Sequence, residues 1–312
     1  MSNKIAFIYP GQGAQKVGMG KTFYDQYPEA KAVYDDANEV LDFDLLHVCF
    51  EENEQINETA YTQPALVATS LAITKVLQDK GITPEVTAGL SLGEYSAIAA
   101  AGGMEATDAI RLVRARGTYM EQAVPNHKGA MSAVLGLTGE EIQEQIKDIP
   151  NVWIANYNCP GQVAITGETE SVKAAGVKLK DAGSKRVIPL AVSGPFHCPM
   201  MEPAAEQLLS ELMQTPLQEL EIPYISNVTA QQVERKEKII ELLTTQMTHS
   251  VLWEQSVRQM IADGVDTFVE VGPGRTLSNF IKKIDKTVKT YQIGTVEEME
   301  QVIGELVCKE NK

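Results

Sequence analysis

The stretch best suited to covalent chemistry is Gly89-Leu90-Ser91-Leu92-Gly93. A G-x-S-x-G sequence becomes reactive when it occupies a sharp strand-to-helix turn. That turn exposes the serine oxygen and sets an amide at a helix N-terminus where an oxyanion would form. The flanks here have the required polarity. Residues 85–90 read as a buried strand, and Glu94-Tyr95-Ser96-Ala97-Ile98-Ala99-Ala100-Ala101 reads as a helix. Gly89 and Gly93 are expected to let two backbone segments approach where a Cβ would clash. Ser91 is then a candidate nucleophile and the amide of Leu92 an oxyanion donor. The bland alternative is a Gly-Ser turn without chemistry, which the flanks disfavour.

A serine nucleophile needs a base within hydrogen-bond reach, and the chain has four histidines. His47 lies in an amphipathic acidic region and reads as packing or surface. His127 lies in a Pro-Asn-His-Lys turn and reads as solvated. His197 sits in the rigid turn Val192-Ser193-Gly194-Pro195-Phe196-His197-Cys198-Pro199-Met200, just before a helix, so it ranks first. His249, at a helix start after Thr248, ranks second. No acid lies beside His197 in sequence, so a backbone carbonyl or an amide side chain is the candidate orienting group.

Arg116 is the third chemical signal. Thr107 is expected to cap a helix running to about residue 123, with an apolar stripe of Ala109, Leu112, Val113, Met120 and Ala123. At 3.6 residues per turn Arg116 falls inside that stripe, while Arg111 and Arg114 fall on the solvent side. A buried guanidinium needs a partner. A structural ion pair and a fork for a substrate carboxylate are evenly balanced on the residues alone.

The elements that must position these groups follow an α/β pattern. Residues 4–9 form a short apolar strand ending in Pro10-Gly11-Gln12-Gly13-Ala14-Gln15. Lys16 defeats a dinucleotide fingerprint there, and Gln15 defeats a phosphate loop ending at Gly20-Lys21-Thr22. A Gly-rich loop after a first strand, supplying a second oxyanion donor, is what remains. Residues 63–77 read as a helix. Residues 131–137, 152–157, 162–166 and 185–192 read as strands, with helices opening at the capping box Thr138-Gly139-Glu140-Glu141 and spanning 168–182. That β-α-β-β-α-β order is ferredoxin-like. The expectation is an α/β chain: an α/β-hydrolase-like core with a parallel sheet over 1–126 and 192–312, and an inserted ferredoxin-like α+β subdomain over 127–191. Strands at 222–226, 267–271 and 291–293 and helices at about 236–247, 249–263 and 296–308 complete the larger part.

Composition sets the boundaries. The 312 residues carry a net charge of -15, which argues against nucleic-acid binding and against anionic membranes. Cys49, Cys159, Cys198 and Cys308 are scattered without a C-x-x-C, as expected of reduced thiols in a cytoplasmic protein and not of a disulfide frame or a zinc site. Met1-Ser2-Asn3-Lys4 runs straight into a strand, so no signal peptide is expected, and no apolar run is long enough to span a bilayer. No cofactor or metal is expected.

The motifs Phe7-Ile8-Tyr9-Pro10-Gly11-Gln12-Gly13-Ala14-Gln15, Thr62-Gln63-Pro64-Ala65, Gly89-Leu90-Ser91-Leu92-Gly93-Glu94-Tyr95-Ser96, Arg114-Ala115-Arg116-Gly117, Ser193-Gly194-Pro195-Phe196-His197, Ser226-Asn227-Val228-Thr229-Ala230 and Glu270-Val271-Gly272-Pro273-Gly274 run through nearly the whole chain. Together they resemble the malonyl-CoA:acyl carrier protein transacylases of bacterial type II fatty acid synthesis and, more distantly, the acyltransferase domains of polyketide synthases. The resemblance implies malonyl-CoA and acyl carrier protein as partners. It implies Ser91 as nucleophile, His197 as base, the amides of Gln12 and Leu92 as oxyanion hole, and Arg116 as the carboxylate fork. It implies that Gln246 helps hold the histidine and substrate, and that Asn156 and Asn227 are pocket positions. Phe196 resembles the malonyl-selective polyketide pattern. Leu90 stands where the family usually has histidine, which should alter packing without abolishing activity. An acidic carrier would need a basic patch. Lys282, Lys283, Lys286, Lys289, Lys185 and Arg186 are candidates, most of which read as solvated surface. The competing reading is a serine esterase or thioesterase with His249 as base; another is an acyl-CoA or carrier-protein binding module without catalysis.

Overall fold

The structure is a computed structural model that describes residues 4–125 and 128–310, with side chains through residue 306. The expected solvated turn at His127 lies outside the described residues. The strands are β1 (Ile5–Tyr9), β2 (Val86–Gly89), β3 (Gly129–Leu135), β4 (Val152–Cys159), β5 (Gln162–Glu168), β6 (Arg186–Pro189), β7 (Tyr224–Ile225), β8 (Gln232–Val233), β9 (Thr267–Val271) and β10 (Lys289–Ile293). They form two sheets. One has the order β10-β9-β1-β2-β7-β8, parallel except for the β7–β8 pair. The other is antiparallel, with the order β4-β5-β3-β6.

β1, β2 and β9 are largely apolar and almost wholly buried, as expected for parallel strands covered on both faces. In such sheets the strands' carboxyl ends open towards ligands. The Gln12 loop follows β1, and the Ser91 turn follows the adjacent β2, in the register Tyr9↔Gly89. An extended strap ties the antiparallel sheet to the rest. Val251 N donates to Ala155 O at 2.8 Å and Val251 O accepts from Tyr157 N at 2.9 Å, along β4. That strap occupies part of the region expected to be helical from 249, and the helix begins instead at Trp253.

Three further expectations need correction. The helix expected from 63 begins at Thr59 and runs to Asp79 through Pro64. Proline lacks the N–H that would serve the Ala60 carbonyl, and Arg114 Nη1 donates to that carbonyl at 3.0 Å. Arg114 is therefore not a solvated residue: its guanidinium also pairs with Asp42 at 2.8 Å and lies over the rings of Phe43 and Tyr61. Thr107 is no cap. The helix spans Ala106–Gln122, follows Glu105, and has no side-chain cap. The Thr138 capping box, by contrast, is formed in full with Glu141.

Cys49, Cys159 and Cys198 are buried free thiols. Among the described residues no helix is long and apolar enough to cross a membrane.

Candidate active site

The turn after β2 is built on two close backbone approaches. A Cβ on Gly89 would lie 1.9 Å from the carbonyl carbon of Gly93, and one on Gly93 would lie 2.2 Å from the Tyr9 oxygen on β1. Only glycine fits at either position. Between them Ser91 takes a φ of 52°, a left-handed conformation that costs a non-glycine residue about 1–3 kcal/mol. The surroundings hold it there from both sides. Ser91 N donates to Asn227 Oδ1 at 2.6 Å, and Gln246 Nε2 donates to Ser91 O at 2.9 Å.

His197 also has a positive φ, 61°. Its Nε2 lies 2.7 Å from Ser91 Oγ. Its Nδ1 donates to the backbone carbonyl of Gln246 at 2.8 Å. Gln246 ends the helix Ile239–Gln246, where carbonyls lack intrahelical donors. The carbonyl can only accept, so in the neutral imidazole the proton sits on Nδ1 and Nε2 accepts from the serine hydroxyl. Among the described residues no carboxylate takes part in orienting the ring. Burial, reinforced by the positive charge of Arg116, pulls the His197 pKa down to about 4 against the opposing bond to Gln246.

Arg116 is buried on the stripe where its helix was expected to place it. Among the described residues it makes no ion pair; its acceptors are neutral oxygens. Nη1 donates to Gln63 Oε1 at 2.9 Å, and Nη2 donates to Gln246 Oε1 at 3.0 Å and to Ser91 Oγ at 3.1 Å. Among the described residues its buried Nε has no hydrogen-bond partner. Tyr95 lies under the guanidinium, with Cζ 5.5 Å from the ring centre. Burial lowers the Arg116 pKa. Glu94, fully buried, accepts from Gln246 Nε2 at 2.7 Å and from Asn227 N at 3.3 Å, and burial raises its pKa to about 8.

Ser91, His197 and Arg116 open on a cleft of about 240 Å³. Its lining includes Gln12, Ser91, Leu92, Arg116, Phe196 and His197, and, from the antiparallel sheet, Met131, Ala133, Asn156 and Ala164. Leu90 is also in the wall. The amides of Gln12 and Leu92 find no acceptor among the described residues. Asn227 differs from its expected place as a pocket position, and Gln246, expected to help hold the histidine, bonds to it through its backbone carbonyl. Both are buried behind Ser91, and neither lines the cleft. His249 is exposed and bonds to Thr245 and Thr248, and His47 faces Glu51 at the surface. Neither approaches Ser91 within hydrogen-bond distance.

The arrangement can pass a hydroxyl proton from Ser91 to His197 while a cation faces the same oxygen, which suits acyl transfer. The sequence profile described as "Acyl transferase domain" matches residues 6–306. The chain belongs to the acyl transferase domain family. A malonyl CoA-acyl carrier protein transacylase of Bacillus subtilis (strain 168) is 44% identical to it over 309 residues, covering 97% of this chain and 98% of the relative. A crystal structure of a malonyl CoA-acyl carrier protein transacylase from Clostridium perfringens superposes with a TM-score of 0.95 at 41% identity, over 98% of each chain. A malonyl-transacylase solved in complex with a type II PKS acyl-carrier protein superposes with a TM-score of 0.94 at 37% identity, over 97% of this chain and 99% of that one.

Two members of this acyl transferase's site carried no assigned role in the sequence reading. Glu94 was legible only as an acid on an otherwise apolar helix (Gly93–Ala100), three residues beyond Ser91. Gln63 stands in a helix buried on every side, where periodicity marks no face.

Proposed function

We infer that this acyl transferase moves a malonyl group from malonyl-CoA to the phosphopantetheine thiol of acyl carrier protein, for fatty acid biosynthesis. The observation that carries the reading is the double contact on one oxygen. Ser91 Oγ meets His197 Nε2 at 2.7 Å and Arg116 Nη2 at 3.1 Å.

In the first half Ser91 Oγ attacks the thioester carbonyl and its proton passes to His197 Nε2. The oxyanion accepts hydrogen bonds from the amides of Gln12 and Leu92. Collapse expels the CoA thiolate, which takes the proton back from His197, and leaves a malonyl-Ser91 ester. In the second half the carrier thiol gives its proton to His197 and attacks the ester, and Ser91 leaves with that proton. The malonyl carboxylate is one methylene from the acyl carbon, so it falls beside Arg116, whose guanidinium gains an anionic acceptor while Gln246 keeps it in place. Gln246 holds the imidazole, Asn227 holds the Ser91 peptide, and Asn156 contributes to the wall of the cleft. An acetyl group lacks the carboxylate and should be disfavoured by about a hundredfold.

The parallel sheet with its strand–Ser91–helix turn supports an α/β-hydrolase-like core over 1–126 and 192–312. The order β4-β5-β3-β6 supports a ferredoxin-like subdomain over 127–191. The free buried cysteines fit a cytoplasmic setting. Lys283, exposed and bonded to Gln162 of the cleft at 3.1 Å, is the best placed of the basic residues to meet an acidic carrier.

Intact mass after mixing with malonyl-CoA tests the function. A malonyl adduct is expected that is absent in Ser91→Ala and is discharged by carrier protein. Arg116→Ala should bring the malonyl and acetyl adduct rates together. Free malonate accumulating without an adduct would mean a hydrolase.

A further inference from the structure

Glu94 touches neither the cleft nor the Ser91 hydroxyl, yet its carboxyl group joins the two residues that pin the Ser91 peptide. It accepts from Asn227 N at 3.3 Å and from Gln246 Nε2 at 2.7 Å. Asn227 in turn binds Ser91 N and the Gly89 carbonyl, the latter at 2.6 Å. The consequence for Gln246 is sharper. An amide side chain is nearly symmetric in shape but not in chemistry, and its orientation is set by what faces each end. One end of the Gln246 amide meets two acceptors, Glu94 Oε2 and Ser91 O. Its other end meets a donor, Arg116 Nη2. A flipped amide would set NH2 against the guanidinium and oxygen against two oxygens. Glu94 Oε2 accepts whether the group is ionised or carries its proton on the other oxygen, so the orientation does not depend on its charge.

We propose that Glu94 is a positioning residue: it locks the Gln246 amide so that its oxygen steers Arg116 onto the acyl group at Ser91, and thereby sets the preference for a carboxylate-bearing acyl group. The inference rests on the transacylase reading above. It predicts a substrate-selective defect, which a merely structural role would not produce. Glu94→Met keeps the length of the side chain but removes the acceptor. Its malonyl-to-acetyl ratio, taken from acylation rates by intact mass, should fall about tenfold or more, because the guanidinium loses its fixed acceptor. Glu94→Gln, which keeps one acceptor oxygen, should hold the ratio within about threefold of wild type.

A Glu94→Met ratio within about twofold of wild type overturns the inference, even if rate or melting temperature drops, since a general loosening lowers both substrates alike. If the Met variant does not fold, Glu94→Asp is measured in its place. Its carboxyl group is one methylene short of Gln246, so the same fall is expected and an unchanged ratio again overturns the inference. A wild-type protein that forms no malonyl adduct at all removes the transacylase reading, and this inference with it.

Discussion

At the scale of the residue, the chemistry turns on an imidazole that has to be neutral to accept a proton. Burial and the Arg116 charge hold the His197 pKa at about 4, below its ordinary 6.5. The basic form therefore persists well into acid. The rate of Ser91 acylation by malonyl-CoA should stay level from pH 8 down to about 5 and decline only towards pH 4. Quenched-flow rates across that range provide the check, and a bend near 6.5 would show an unperturbed base. The Gln246 carbonyl replaces the usual acid as orienting group. A carboxylate there would raise the imidazole pKa by its charge, whereas a carbonyl fixes the tautomer without adding one.

At the scale of the element, the tight fit is the turn between β2 and the helix Gly93–Ala100. A methyl on Gly93 would press on the backbone oxygen of Tyr9 in the neighbouring strand, where no side chain can yield. Gly93→Ala is expected to destabilise the protein by about 2 kcal/mol or more. It should also lower kcat/KM about a hundredfold, because a shift of even 1 Å in Ser91 spoils its alignment with His197. Thermal melting and single-turnover acylation measure the two effects separately. Normal values for both would mean that β1 and the turn can part at little cost.

At the scale of the molecule, the buried ionisable groups set how stability follows pH. Glu94 has a folded pKa of about 8, above its ordinary 4.5. Between those values the folded state holds a proton that the unfolded state has released, so stability falls as pH rises through that window. The slope from this one group is at most about 1.4 kcal/mol per pH unit. His197 acts in the opposite sense between about 4 and 6.5, where the unfolded chain takes the proton and stability falls as pH drops. The two offset each other in mild acid and part above pH 6.5. Denaturation of wild type and Glu94→Gln from pH 6 to 8 should show the wild type losing ground steadily against the variant. Parallel curves would mean that Glu94 does not titrate in that window.

The strands other than the two-residue β8, the Ser91 turn, the buried side of the Arg116 helix and the antiparallel sheet's element order were legible in the sequence because each rests on local signals. Apolar runs, glycines at fixed offsets, a 3.6-residue stripe and a capping box act over a few residues. Family motifs added Gln12, Gln246, Asn156 and Asn227, though not the fact that Gln246 and Asn227 stand behind the serine. The spatial joining of positions 63, 91, 94, 116, 197, 227 and 246 is a property of tertiary structure alone. Those positions lie on different elements, and only the docking of helices around the parallel sheet brings them together. The same holds for Arg114, which its helical period assigned to solvent. A proline-opened carbonyl in another helix, Asp42 and two aromatic rings gave it partners that no periodicity along its own helix could reveal. Periodicity reports which face of an element is turned inward; what that face meets depends on the other elements.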